Sequence, residues 1–161
     1  MNDRLNISRA LWLSLILDLR RRGGAYRESG AFLLALPGHR EITAHVCYDD
    51  LDPSVLDEGI IVFHGAGYVS LWDLCLKRQL RVVADVHTHP DDWIGQSHSD
   101  RTHPMISIPG HVALIVPHYA RFNEESFNGV GMYKYRGNHR WKDRTKKPLI
   151  EFHNESVASV R

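Results

Sequence analysis

The sequence predicts a single-domain α/β (α+β) fold, a mixed and largely antiparallel β-sheet flanked by helices. Two observations predict it. The 161 residues leave room for one domain around one buried core. Segments of helical and of strand period also follow one another in the order helix, strands, helix, strands.

The first helix is expected over residues 8–22, where Leu11, Leu15 and Leu19 recur every four residues beside Trp12 and Ile16, and Gly23-Gly24 supplies a stop. Residues 31–36 and 42–48 are apolar or β-branched runs around a turn at 37–40, which reads as two strands. A loop rich in Asp and Pro follows at 49–58. Residues 60–64 read as a third strand and 68–79 as a second helix with Leu71, Leu74 and Cys75 on one side. Residues 81–87 form a strand running into a histidine pair. After a loop, polar residues from Ser97 begin a short helix. The pattern ends with a strand at 111–116 and a hairpin of 129–135 with 139–142, turned at 136–138. Trp12 and Trp72 fall on apolar helical faces and are expected in the core. The domain is assigned to residues 1–152, and 153–161 to a polar tail expected to fray.

Composition removes several classes of function. Twenty Lys and Arg stand against 19 Asp and Glu, so no overall basic field favours nucleic acid as a partner. The basic stretch 134–147, with Tyr133, Tyr135 and Trp141 interleaved, reads as the solvated face of a hairpin, with an acidic partner or nucleic acid as the alternative. Cys47 and Cys75 are the two cysteines and form no Cys-x-x-Cys pair, which suggests neither a disulfide framework nor a thiolate zinc site, and fits a reducing cytoplasm. The apolar run 10–17 is far shorter than the roughly 20 residues of a membrane span.

Chemistry concentrates at His87-Thr88-His89-Pro90. Side chains two apart on a strand share a face, so His87 and His89 can address one ion while Thr88 faces away. Catalytic zinc needs a third protein ligand and one open position. Asp100 supplies the third, one helical turn from Ser97 and therefore on its side of the helix. Neither a Gly-x-Ser-x-Gly elbow nor its context occurs, so His64-Gly65-Ala66-Gly67 reads as a helix start and not as a hydrolase oxyanion loop.

The pattern His-x-His-Pro, six residues, then Ser-x-x-Asp resembles the signature of the JAMM (MPN+, JAB-domain) metallopeptidases, complete here as His87, His89, Pro90, Ser97 and Asp100. An upstream glutamate before an apolar strand is also similar: Glu28-Ser29-Gly30-Ala31-Phe32, with its glycine one place earlier than in the family's form. Glu41 is the nearest rival but follows a turn. The resemblance implies a JAB/MPN-like fold and one Zn2+ ion held by His87, His89 and Asp100. It implies that Glu28 moves the proton between water and the departing amine, and that Ser97 stabilises the oxyanion. Asp85 or a backbone carbonyl is expected to orient a ligand histidine.

The same resemblance implies cleavage after the C-terminal glycine of a ubiquitin-like protein or its conjugates. It is strongest to prokaryotic members, several of which sit with activating and conjugating enzymes in bacterial antiphage operons. Processing of a small sulfur-carrier protein, and a non-catalytic MPN-type scaffold, are the alternatives.

Overall fold

In a computed structural model of the chain, residues 3–153 are described, and of the tail at 153–161 only His153 falls within them. One eight-stranded sheet runs through the domain. Its strands are β1 (Leu5–Ile7), β2 (Gly30–Ala35), β3 (Glu41–Cys47), β4 (Arg81–Thr88), β5 (Val112–Val116), β6 (Gly131–Gly137), β7 (Arg140–Asp143) and β8 (Ile150–Phe152), in the spatial order β7-β6-β5-β4-β2-β3-β1-β8. The helices are α1 (Arg9–Gly23), α2 (Tyr48–Leu51), α3 (Gly65–Arg78) and α4 (His98–Thr102).

The expected sheet is present, antiparallel through β2–β3, β2–β4, β5–β6 and β6–β7. β4–β5, β1–β3 and β1–β8 are parallel. β1 and β8 were not anticipated. Each spans three residues, too short for alternation to show, and each is fixed by a partner far away in sequence, with Leu5 opposite Ile150.

Each face of the sheet carries its own core. Trp12, Leu15, Ile16 and Leu19 of α1 cover Ala31, Leu33, Cys47, Val86 and Leu114 on one side. Leu71 and Cys75 of α3 cover Phe32, Leu34 and Tyr48 on the other. The Ser8 hydroxyl accepts the Leu11 N–H at the start of α1, and Gly24 ends the helix in the left-handed conformation, with its N–H donated to the Arg20 carbonyl.

Four local expectations need correction. Residues 60–64 are not a strand: after Gly59, in the left-handed region at φ +81°, they run as a loop whose Ile61 and Phe63 pack on the α3-side core. The loop at 49–58 begins with the single turn α2. Trp72 is 47% exposed, because the buried stripe of α3 passes through Gly67, Leu71 and Cys75 and leaves Trp72 facing outward. The β6–β7 turn lies one residue later than expected, at Asn138 and His139, both with positive φ as a two-residue hairpin turn requires.

Candidate metal centre

The parallel pair β4–β5 places two strand ends side by side, Thr88 opposite Val116, and the chain between them must cross over those ends. That crossover carries His89, the loop to Gln96 and α4. Val86 packs into the α1-side core, so alternation turns His87 to the opposite face. His89 continues that face beyond the strand. Its N–H donates to the Val116 carbonyl at 2.9 Å, and its own carbonyl accepts the Tyr119 N–H at 2.8 Å.

α4 brings the third group. The Ser97 hydroxyl accepts the Asp100 N–H at 3.0 Å while the Asp100 carboxylate accepts the Ser97 N–H at 2.9 Å, a reciprocal capping box. The remaining carboxylate capacity faces the histidines. His87 Nε2 and His89 Nε2 are 3.2 Å apart, and each is 3.3 Å from an Asp100 oxygen. A tetrahedral ion with bonds of about 2.0–2.1 Å needs ligand atoms about 3.3 Å apart, the spacing of the His87 contact to Asp100 Oδ1 and of the His89 contact to Asp100 Oδ2, and one donor atom from each residue lies within 4.8 Å of the others. His89 Nδ1 lies 2.9 Å from the Trp93 carbonyl; donating there, it leaves the Nε2 lone pair to face the centre. The donor set of two imidazole nitrogens and one carboxylate suits Zn2+.

Burial alone would lower the His87 imidazolium pKa, but the adjacent Asp100 outweighs it and raises it above the ordinary value. Asp100, which burial would raise, is driven well below the usual carboxylate range by hydrogen bonds from His87 and His89. Negative charge is therefore fixed at the centre.

Glu28 reaches the same place from another element. Ser29 donates its N–H to the Thr88 hydroxyl and accepts the Thr88 N–H, each at 3.0 Å, so the residue between the two histidines is stitched to the residue after Glu28. Gly30 then pairs with His87. A Cβ on Gly30 would lie 2.3 Å from the Tyr48 ring and 2.8 Å from the Val86 carbonyl, so only glycine permits this approach. Glu28 is half-buried, and burial raises its pKa although His87 and His89 draw it down. Glu41 sits where Ala35 meets Ile42, at the far end of β2, about 16 Å along the strand from Gly30, and contacts His153 instead.

Asp85 does not orient a ligand histidine. It is buried 2.6 Å from His111 Nε2, and the orienting group is the Trp93 carbonyl. The Trp93 ring stacks on His89 at 5.3 Å between centroids while remaining 53% exposed. Two supports were not visible in the sequence. The left-handed turn at His118, Tyr119 and Ala120, which holds the His89 carbonyl, contains no glycine or asparagine to announce it. Gly131 lets the Ile94 carbonyl approach β6, since a Cβ there would lie 2.3 Å from that oxygen.

No family model matches the chain. Solved structures do. A JAB1/MPN domain protein from Archaeoglobus fulgidus aligns over 93% of this chain and 97% of its own at a TM-score of 0.51 and 17% identity. The chain has the JAB1/MPN fold. A structure described as a JAMM metalloprotease-like zinc site in the proteasome and signalosome gives 0.50 over 94% and 99% at 16% identity. A protein from Desulfitobacterium hafniense gives 0.63 over 96% of both chains at 12% identity. At these identities the likeness is one of MPN fold. Among the described residues no helix is long and apolar enough to cross a membrane.

Proposed function

We propose that the chain is a zinc-dependent peptidase or isopeptidase of the JAMM type. The observation that carries this reading is the triangle of donor atoms from His87, His89 and Asp100, spaced for one tetrahedral ion, with the half-buried Glu28 coupled to it from a separate element. Zinc bound there would supply a Lewis acid that lowers the pKa of water towards neutrality.

The remaining work falls to the protein's own side chains. The Glu28 carboxylate takes a proton from the attacking water and returns it to the departing amine. Its raised pKa brings its basicity closer to that of a base working near neutral pH. The Ser97 hydroxyl accepts the Asp100 N–H through its oxygen and keeps its own hydrogen for the substrate oxygen as negative charge develops there. Trp93 forms an exposed apolar wall beside His89.

For the substrate we adopt the C-terminal glycine of a ubiquitin-like protein, cleaved from a precursor or a conjugate in a bacterial antiphage setting with its activating and conjugating enzymes. Support for this finer reading is the resemblance of the segment from His87 to Met105. An extended tail added beside a strand edge is the mode of docking that suits such a substrate. Incubation with a ubiquitin-like substrate encoded beside this chain is expected to release the mature glycine terminus, and a chelator to stop it. Cleavage that persists after chelation, or in Glu28→Gln, would overturn the assignment.

A further inference from the structure

On the other face of the sheet the chain repeats the construction of the centre just described. His45 and Cys47 are two apart on β3, as His87 and His89 are two apart at the end of β4, and a helix brings an aspartate to them, Asp18 of α1. His45 Nε2 lies 2.9 Å from Asp18 Oδ2 and Cys47 Sγ 3.9 Å from the same oxygen. One donor atom from each residue falls within 4.8 Å of the others. Cys47 belongs to the α1-side core with Val86, whereas His87 faces away from that core, so the two clusters are separated by the thickness of the sheet.

We propose that Asp18, His45 and Cys47 form a second metal site, selective for Zn2+ and similar thiophilic divalent ions. A tetrahedral ion with bonds near 2.3 Å to sulfur and 2.0 Å to nitrogen and oxygen needs edges of about 3.3–3.5 Å, and the present 2.9 and 3.9 Å straddle that range. Two features favour occupancy. His45 Nδ1 is buried without a partner and can carry the ring proton, which leaves the Nε2 lone pair to face the ion. The local charge also balances. Asp18, Asp49 and Asp50 face the guanidinium groups of Arg21 and Arg22, an excess of one negative charge. Ionising the Cys47 thiol makes that excess two, which a divalent cation neutralises. The metal displaces the thiol proton on binding. The three protein ligands leave a fourth position for solvent, and the ion ties α1 to β3.

Cobalt(II) tests this site separately from the first, because only the second offers sulfur. The full-length chain is loaded with cobalt, freed of loosely held ion by gel filtration, and measured for metal content and near-ultraviolet thiolate-to-cobalt charge transfer. Two equivalents and the sulfur band are expected. Asp100→Ala should lose one equivalent and keep the band. Cys47→Ser should lose the other equivalent and the band, and Cys75→Ser should change neither. If Cys47→Ser does not fold, Asp18→Asn serves in its place and should lose the same equivalent. No sulfur band in the native chain, or a band that survives Cys47→Ser or Asp18→Asn, overturns the proposal. Failure of the first site alone would leave the band and one equivalent in place.

Discussion

Burial raises the pKa of the Glu28 carboxyl group, which therefore gives up its proton above the ordinary glutamate range. A base must be ionised, so turnover should fall with decreasing pH through that raised value, and its acid limb should lie higher than a free glutamate would place it. The same shift opposes folding. Between the unfolded value and the raised folded one, the folded metal-free protein binds a proton that the unfolded chain releases, so stability declines as pH rises through this window and stays lower above it. Glu28→Gln removes the penalty together with the base. At neutral pH the metal-free variant should melt at or above the parent temperature, while the metal-loaded variant loses about 10²–10⁴-fold in turnover. Thermal melts and a pH–rate profile check the two halves independently.

At the scale of the element, α4 matters most, because five residues cannot sustain a helix by propensity alone. Its capping box is what makes it a helix, and the same box aims Asp100. Ser97→Ala should therefore cost about 1 kcal/mol of local order, roughly a fivefold loss of metal affinity in a competition titration, with Ser97→Thr restoring it. A further fall in turnover at saturating metal, of about 10²-fold or more, would mark the hydroxyl as the oxyanion donor in addition. Gly30→Ala should cost about 1–3 kcal/mol by denaturant titration, since the new Cβ meets both the Tyr48 ring and backbone.

The histidine spacing and Ser97-x-x-Asp100 were legible because strand and helix periods decide which side chains share a face. α1 and the strands beside it were legible through four-residue and two-residue repeats. Elements held by distant partners were not. The three-residue β1 and β8, the Trp93 carbonyl behind His89, and the left-handed turn at 118–120 leave no local periodicity, and Asp85 found His111 across the β4–β5 pair.

Across the whole molecule, the two faces of the sheet have separate cores, and the α1-side core is closed at one edge by β1 and β8. Leu149 is fully buried there, and its carbonyl accepts the Leu5 N–H at 2.7 Å. Leu149→Ala should destabilise the protein by about 2–5 kcal/mol, lowering its melting temperature by about 5–15 °C in calorimetry. The damage is expected to leave the spectroscopic signature of a metal at His87, His89 and Asp100 unchanged below the transition, because three strands, β2, β3 and β1, separate β8 from β4.

Pairing of Leu5 with Ile150 has a consequence during synthesis. The first strand emerges from the ribosome early but has no outer neighbour until residue 150 has left the exit tunnel, so the nascent chain must carry the outer backbone edge of β1 unpaired through most of translation. Closure of that edge is a late, long-range event, and the interval before it is when a holdase chaperone would find its binding segment.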